Sequence, residues 1–550
     1  MTLHPQSVKP IPALTKEIAI KAFPKDNLYM MMRDRLGTFY NDWDFADLFP
    51  TQGQPATCPW RLALITVMQF VEGLTDRQAA NAVASRIDWK YALSLELTDK
   101  GFDFSVLSEF RTRLIKGGAE RQLFDLMLSS FLDAGLLKAP YSQRTDSTHV
   151  LAKIRHLSRL ESLGETLRSA LNSIAVVAPQ WLQEIVPESW YKRYARKFEE
   201  SRLPMSETKR TELAATIGRD GFYLLDILWS SKELNWLRQI HAVETLRQVW
   251  LQQYYAPIPS GDVRLRETKD SPPGAIRIRS PYDTEARLGN KRSKSWTGYK
   301  VHLSETCDEN APHLITSVET TKATMTDREV LDKIHDQLGS HNLLPRKHLV
   351  DAGYVNGELI VNSQIEYGVD LISPIPVDGQ WQSKAGKGYG IANFNVDWKK
   401  KQVRCPKGKV SRQWIPTHNT YQQPVISVKF NKADCLACES RTDCTRAKVG
   451  ARTVTLRPQA QHEAIASARE KQLTPGFKEQ YALRAGVEGT ISQGTRTFGL
   501  RRCRYRGEAK TRLQNIVTAA AINLVRVWDW WCGQSSWGTI PSRFAALAPD

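Results

Sequence analysis

The chain has 550 residues, of which 41% are hydrophobic, and its 76 Lys and Arg against 58 acidic residues give a formal net charge of +18. This length can bury a large core and predicts three or four structural units. No apolar run is long enough to span a membrane, and residues 1–25 lack the uninterrupted apolar core of a signal peptide. The positive surplus favours a polyanionic partner, foremost nucleic acid, although ribosomal or lipid binding would give a similar composition.

The first predicted unit, residues 1–135, is helical. An apolar stretch from Trp60 to Glu72 predicts one helix, a capping box from Thr75 to Gln78 starts the next, and a third runs from Ser105 to Gly117. Short helices separated by Gly and Thr are typical of a helix-turn-helix array that reads DNA. A small bundle that only packs or dimerises has the same pattern, so DNA binding and dimerisation both remain open for this unit.

The second unit begins with a strand, Arg144 to Val150. Alternation along a strand places Asp146 on one face and His149 on the other, so we expect His149 to be structural. Residues 151–289 then follow a helical pattern, and we interpret them as an insertion into the catalytic fold. Within it, Trp190 to Phe198 interleaves aromatic and cationic residues, which suits either nucleic-acid contact or an ordinary amphipathic helix.

Strand patterns return in residues 290–375. A hairpin is predicted from 296–303 and 314–319, then a helix, a short buried strand that ends at Asp351, a helix over 357–367 and a strand over 369–372. Strand, hairpin, helix and strand, with aspartates at the first and fourth strands, is the order of an RNase H-like α/β core. The competing doubly wound nucleotide-binding fold needs a glycine-rich turn after its first strand, and none follows Asp146.

Residues 376–458 are polar and contain cysteines. Four thiols, two of them in a C-x-x-C pair, predict a small insertion with a structural zinc ion, and the residues are Cys405, Cys435, Cys438 and Cys444. His418 could replace one thiol. A reduced, metal-free loop and an iron–sulfur cluster are the alternatives. Eight cysteines in a chain of this length do not suggest a secreted disulfide framework, so we expect a reducing compartment.

The last unit, residues 459–540, holds a further carboxylate. Tyr481, Arg484 and Glu488 are spaced i, i+3 and i+7, which predicts that they share one face of a helix. A phenol, a cation and a carboxylate on one face suit a protein that grips a phosphate and holds a metal ion. Together with Asp146 and Asp351, Glu488 would complete the usual carboxylate cage for paired magnesium ions.

A dense run of arginines follows this carboxylate. Phe498 and Tyr505 lie among cations that favour a phosphate-tracking loop beside the active site: Arg496, Arg501, Arg502, Arg504 and Arg506. A basic surface loop with no partner is the alternative. The apolar stripe from Leu513 to Val527 predicts a helix that packs on the sheet.

Taken together, these features resemble the DDE transposases of bacterial insertion sequences, in the group with the Y-x-x-R-x-x-x-E signature and an InsH-type amino-terminal domain. The resemblance rests on the helical first unit, the strand with Asp146, the Asp-Ala-Gly-Tyr sequence at Asp351, and the signature at Glu488. It implies that these three carboxylates bind two Mg²⁺ (or Mn²⁺) ions, and that Tyr481 and Arg484 steady the terminal nucleotides or a phosphate.

The family signature continues to a lysine seven positions beyond the glutamate. Thr495 occupies that position here, and the neighbouring Arg496 is the candidate substitute. The resemblance further implies that the protein binds double-stranded DNA, at the inverted-repeat ends of its element and at the target, and catalyses strand cleavage and strand transfer. It also implies a homodimer on DNA, no membrane partner, and a bacterial cytoplasmic protein that is nucleoid-associated when bound.

Two other functions fit the same residues. A catalytically silent transposase derivative would bind DNA and act as a repressor, and an RNase H-like nuclease would cut nucleic acid without joining it. The complete set of three carboxylates argues against the first. The basic run after Glu488 favours strand transfer over the second, because gripping a defined DNA end needs more than a metal cage.

Overall fold

The computed structural model describes residues 2–25, 27–255, 263–291, 294–376, 379–384 and 388–533. Within those ranges, no helix has both the length and the apolar character that crossing a bilayer requires. The end of the predicted last unit, residues 534–540, lies outside the described residues.

The amino-terminal region is helical, as predicted. Its helices are α1 (Ala13–Ala22), α2 (Leu28–Leu36), α3 (Pro59–Val71), α4 (Asp76–Ser85), α5 (Ile87–Ala92), α6 (Ser105–Lys116) and α7 (Gln122–Asp133). The predicted capping box starts α4: the Gln78 N–H donates to Thr75 Oγ1 over 3.3 Å, and the Thr75 N–H donates to Gln78 Oε1 over 2.9 Å. This reciprocal pair satisfies two otherwise unpaired amides and fixes where the helix begins.

The first core strand leads into a helical insertion. The strand is β1 (Ser142–Leu151), and the insertion contains α8 (Arg159–Val177), α9 (Pro179–Ile185), α10 (Glu188–Tyr194), α11 (Glu207–Ser230), α12 (Asn235–Arg238) and α13 (His241–Gln253). The insertion has its own hydrophobic core, in which Leu167, Leu224 and Trp250 are fully buried. This core is separate from the one that the sheet shares with other parts of the chain.

The remaining strands complete a mixed sheet. They and their helices are β2 (Arg287–Lys291), β3 (Lys294–Thr306), β4 (Ile315–Lys322), α14 (Leu331–Ser340), β5 (Lys347–Val350), α15 (Gly357–Tyr367) and β6 (Asp370–Ile372). The strand order is β2-β3-β1-β5-β6, and β4 also pairs with β3. β1 runs antiparallel to β3 and parallel to β5, so the predicted hairpin and the predicted buried strand lie on opposite sides of β1.

The cysteine-bearing segment folds as a small unit with its own core. It contains α16 (Trp381–Lys384), β7 (Asn395–Asp397), β8 (Gln402–Arg404), β9 (Gln413–His418), β10 (Pro424–Lys429), α17 (Lys432–Leu436), α18 (Arg441–Cys444) and β11 (Thr453–Leu456). Phe394, Val403 and Val428 are buried at the centre of this unit.

Four helices follow: α19 (Gln459–Gln472), α20 (Pro475–Ala482), α21 (Ala485–Thr497) and α22 (Glu508–Trp531). As predicted, α22 packs on the sheet, where the Asn523 amide exchanges hydrogen bonds of 2.7 and 2.8 Å with the backbone of Ile315 in β4. The same helix packs against α3 and α7. The amino-terminal helices and the sheet consequently share one hydrophobic core.

The prediction of one continuous helix through Tyr481, Arg484 and Glu488 is wrong. Tyr481 lies in α20, Glu488 lies in α21, and Arg484 lies between the two helices. The Leu483 carbonyl at this joint accepts a 2.6 Å hydrogen bond from Arg144 Nη1 on β1. That contact holds the chain where the two helices meet, and it comes from a residue too distant in sequence for a local pattern to reveal.

Candidate active site

Asp146 and Asp351 occupy neighbouring positions on two parallel strands. The register pairs Thr145 of β1 with Val350 of β5, and each aspartate is the next residue along its strand direction. Adjacent strands lie about 5 Å apart, so the two carboxylates start from backbone positions close enough to share a ligand. The Asp351 Oδ1 accepts a 2.7 Å hydrogen bond from the Ala352 N–H, which caps the short turn that follows β5.

Arg484 joins two of the three predicted catalytic carboxylates. Its Nη2 lies 2.6 Å from Asp146 Oδ2, and its Nη1 lies 3.0 Å from Glu488 Oε1. The Arg484 side chain is 11% exposed and that of Asp146 is 14% exposed, whereas that of Glu488 is 66% exposed. Burial lowers the pKa of Arg484, but nearby acidic groups outweigh this and raise it above its usual value; they are Asp146, Tyr481, Glu488 and Asp351. The α20–α21 joint thus brings Arg484 and Glu488 to Asp146 on β1.

Burial is the dominant influence on Asp146. It raises the pKa of the Asp146 carboxyl, the positive charge of Arg484 opposes that rise, and the nearby Asp351 adds to it. Two carboxylates near each other in a partly buried place disfavour ionisation of both, and a cation relieves the cost. The site is therefore electrostatically suited to positive charge, which Arg484 supplies in this arrangement.

Tyr481 lies beside the carboxylates on a stacked aromatic pair. Its ring stacks on that of Phe477 with centroids 5.6 Å apart and an interplanar angle of 8°. Both rings pack against a small apolar cluster formed by Cys307, Leu349 of β5 and Ile372 of β6. Sequence reasoning did not single out Phe477, although it lies one helical turn before Tyr481 and could have been found from that spacing.

A buried ionic network lies behind the α20–α21 joint and contacts it. Glu305 of β3 lies 2.6 Å from Arg144 Nε and 2.7 Å from Arg526 Nη1, and it also accepts a hydrogen bond from Thr490 of α21. The side chains of Arg144, Glu305 and Arg526 are no more than 4% exposed. Sequence reasoning missed this network, because an isolated buried charge gives no periodic signal.

Gly486, at the start of α21, packs directly on this network. A Cβ atom at this position would collide with the guanidinium of Arg144. Because that guanidinium also holds the Leu483 carbonyl, it is fixed and cannot move aside freely. A residue without a side chain thus lets α21 approach β1 closely enough to bring Glu488 towards Asp146.

The arginine run is anchored to the end of β1. The Leu151 N–H donates to the Arg501 carbonyl over 2.8 Å, and the Cys503 N–H donates to the Leu151 carbonyl over 2.9 Å. Arg501 Nε donates to Thr148 Oγ1 over 2.8 Å, and Thr148 is two residues after Asp146 on the same face of the strand. This part of the run therefore lies next to the carboxylates.

The other arginines of the run lie in different surroundings. Arg504 donates to the Leu74 carbonyl over 3.1 Å, and its guanidinium lies 4.3 Å from the centre of the Phe70 ring, so it ties the run to the amino-terminal helices. Burial lowers the pKa of Arg504. Arg496 and Arg502 are exposed, and Arg506 lies over the ring of Tyr282.

The four candidate zinc ligands line one small cavity of about 40 Å³. Burial raises the pKa of the Cys444 thiol, and the nearby thiols of Cys435, Cys405 and Cys438 raise it further. All four cysteines are free thiols. Within the described ranges, no three His, Cys, Asp or Glu side chains are arranged to hold a metal ion, either here or at the carboxylates.

Of the two histidines near the aspartates, His348 is buried in the core, whereas His149 is only partly buried and lies beside the Trp296 ring. His348 is fully buried, its Nε2 lies 2.6 Å from Thr145 Oγ1, and its Nδ1 lies 3.0 Å from His335 Nε2. Burial holds the pKa of His348 well below its usual value, so its ring is neutral. These contacts fit a structural role for His348.

Comparison with known proteins assigns two parts of the chain. Residues 18–113, which span α1 to α6, match a transposase domain (DUF772). Residues 404–528, which run from the cysteine unit through Glu488 to α22, match the transposase DDE domain. No curated protein and no solved structure matches the chain significantly. Two transposase domains in this order, the second of which contains Glu488, indicate a DDE transposase of the insertion-sequence type.

Proposed function

We propose that Asp146, Asp351 and Glu488 form the catalytic centre of this transposase, which cleaves the DNA strands at the inverted-repeat ends of its element and joins them to a target. The single observation that supports this most is the ion pair of Arg484 with both Asp146 and Glu488, next to the strand position of Asp351. Arg484 thus contacts two acidic residues from distant parts of the chain, and Asp351 follows the strand that pairs with the strand of Asp146.

The three carboxylates are of the chemical type that binds divalent metal ions. Carboxylate oxygens are the ligands that Mg²⁺ and Mn²⁺ prefer, and the region between Asp146 and Glu488 already favours positive charge. We propose that Asp146, Asp351 and Glu488 hold two such ions. When bound, the ions would activate the attacking oxygen and stabilise the leaving oxygen of the phosphodiester.

The chain's own residues would grip the DNA end. Arg484 would exchange its carboxylate partners for a phosphate of the terminal nucleotide, and the Phe477–Tyr481 pair offers an aromatic surface beside it. From the arginine run, Arg501, Arg502 and Arg506 would follow the backbone, with Arg496 in place of the family's lysine. Arg504 is the weakest member of this predicted set, because its guanidinium is engaged by Phe70 and Leu74.

Strand nicking and strand transfer on end-containing DNA test the catalytic proposal. Asp146→Asn, Asp351→Asn and Glu488→Gln should each abolish Mg²⁺-dependent nicking, by about a thousandfold or more, while leaving DNA binding largely intact. Cleavage that survives in one variant would remove that residue from the centre. DNA binding without nicking in the unmodified protein would favour a silent repressor, and nicking without joining of pre-cut ends would favour a nuclease.

We also propose a structural zinc ion among Cys405, Cys435, Cys438 and Cys444. The shared cavity and the mutual influence of the thiols support this ligand set. Purified protein should contain about one zinc ion per chain, and Cys438→Ser should lose it, whereas the matched variant Cys58→Ser should keep it. Stoichiometric iron, or no metal in either protein, would contradict the proposal.

We propose that the protein acts as a homodimer across two DNA ends, with the amino-terminal helices in DNA binding or dimerisation. Two ends must be cut and joined together, which a pair of identical centres can do. Mass measurement of the complex with end DNA should give two chains and two ends. A complex of one chain on one end would contradict this.

A further inference from the structure

We propose that the helical insertion carries a phosphate-binding recess at the start of α8, formed by Arg159, Arg277 and Arg279. The recess would take a phosphate group, either from a DNA backbone or from a free phosphate-bearing molecule. It lies outside the predicted carboxylate centre and the arginine run, and only its assignment to DNA rests on the proposed function.

Three like charges converge at this place. Burial lowers the pKa of Arg277, and for Arg279 the charges of Arg277 and Arg159 add to that effect of burial. Burial likewise lowers the pKa of Arg159, with Arg277 adding to it. Among the residues that the structure describes, no carboxylate acts on the pKa of any of the three. Partly buried cations that repel one another destabilise the fold unless an anion joins them.

The position of Arg159 adds to the positive potential. Arg159 is the first residue of α8, which is a helix of 19 residues. The start of a helix carries a partial positive charge and favours anions, so a cation there is unfavourable by itself. The carboxylate at this helix end, Glu161, is already engaged by Arg155 at 2.8 Å and by the Ser158 N–H at 2.7 Å.

The cluster is held in a fixed arrangement. Gln252 of α13 bonds both neighbours of Arg277, accepting from the Ile278 N–H over 2.9 Å and donating to the Ile276 carbonyl over 3.1 Å. Ser162 of α8 donates to the Arg279 carbonyl over 3.1 Å. The segment with two of the arginines is thus fastened to two helices of the insertion.

One arginine has an unused donor. Arg277 Nε is buried, and it has no hydrogen-bond partner among the described residues. A buried N–H of a cation without an acceptor is costly, and an oxyanion would supply the acceptor. By contrast, Arg159 uses Nε and Nη2 on the Gln253 side chain and the Arg266 carbonyl, which orients it at the edge of the recess.

The size of the recess selects the ligand class. Its volume is about 30 Å³, and the three arginines line it together with three polar residues, Ser158, Ser162 and Gln253, and three apolar ones, Leu157, Leu163 and Ile278. A recess this small holds on the order of two water molecules, so it can take two of the oxygens of one phosphate but not a nucleoside. Guanidinium groups match phosphate oxygens through paired hydrogen bonds.

Thermal unfolding of the full-length protein in inorganic phosphate tests the recess, with chloride at equal ionic strength as the reference. Phosphate should raise the Tm of the unmodified protein with increasing concentration, because it binds the folded state. Arg279→Gln and Arg277→Gln should lose this response, and each should unfold no earlier than the unmodified protein in chloride, because repulsion is relieved. The matched variant Arg219→Gln, an exposed arginine of α11, should keep the full response. An equal rise of the Tm in all four proteins would overturn the inference. So would the absence of any rise in all four, if the variants also bind DNA as the unmodified protein does.

Duplex DNA binding distinguishes the source of the phosphate. If the recess takes the DNA backbone, Arg279→Gln should weaken binding roughly fivefold and reduce the salt dependence by about one counterion, whereas Arg219→Gln should not. A phosphate response with unchanged DNA binding would assign the recess to a free phosphate-bearing molecule. Asp146→Asn should retain the phosphate response, so a failure of the recess and a failure of the catalytic proposal give different results.

Discussion

Two arginine–carboxylate assemblies contact β1, one through Arg144 and the other through Asp146, which lie two residues apart on the same face of the strand. In the first, Arg144 and Arg526 enclose Glu305, and the three side chains are at most 4% exposed. In the second, Arg484 joins Asp146 to Glu488, which is 66% exposed. The chemical groups are the same, and burial separates their roles. The first, which we call the closed assembly (Arg144, Glu305 and Arg526), can only hold elements together. The second, the open assembly (Asp146, Arg484 and Glu488), can exchange its partners for a metal ion or a phosphate.

The closed assembly positions the open one. Arg144 donates to the Leu483 carbonyl next to Arg484, and Thr490 of the Glu488 helix donates to Glu305. A substitution in the buried network should therefore also displace Arg484 and Glu488, because the network holds the α20–α21 joint. The two assemblies should nevertheless differ sharply in what a single substitution does to stability and to ion binding.

The largest effect is expected from Glu305→Gln. This change leaves Arg144 and Arg526 buried without their shared counter-charge, which should lower the free energy of unfolding by about 3–5 kcal/mol. Chemical denaturation measures the loss. The control Glu17→Gln, which breaks the exposed pair with Lys21, should change stability by about 0.5 kcal/mol or less. Similar losses in both variants would contradict the structural role of the closed assembly.

A smaller effect of a different kind is expected from Arg484→Gln. Removing this cation should tighten Mn²⁺ binding about tenfold at neutral pH, because the ion no longer competes with a guanidinium for Asp146 and Glu488. Strand cleavage should still fall, since Arg484 is also the proposed phosphate contact. Titration with Mn²⁺ measures the first effect, and Arg496→Gln should leave Mn²⁺ affinity unchanged. Weaker Mn²⁺ binding in Arg484→Gln would mean that Arg484 supports the ion site rather than competing with it.

The smallest effects are expected in the arginine run, where Arg504 should contribute to stability and Arg502 to DNA binding. Arg504→Gln should cost about 1 kcal/mol of stability through its lost contacts with Phe70 and Leu74, and change duplex affinity little. Arg502→Gln should weaken duplex binding and change stability little, because Arg502 is exposed. Denaturation and DNA titration of the two variants in parallel measure this, and the opposite assignment would show that the run binds DNA through its buried arginine.

Asp351 was recognisable because it directly follows the short apolar strand β5, whereas Asp146 lies within the mostly polar strand β1 and was recognisable only from the order of the core elements. The sequence does not predict the joint at Arg484, because the helix breaks through a contact with Arg144 that is 339 residues away in sequence. β2 was missed because Gly, Asn and Lys are unusual in strands. Arg504 could not be told from Arg502, since both stand in one basic run and only tertiary packing separates them.

The central claim is that three carboxylates distant in sequence act on one pair of ions. A crystal structure with Mn²⁺ and end DNA, measured at an energy where manganese scatters anomalously, tests this most directly. We predict anomalous density within about 2–3 Å of oxygens from both Asp146 and Asp351, with Glu488 at the same centre and Arg484 turned towards a phosphate. Density elsewhere, or Glu488 far from ions bound by the aspartates, would contradict the account.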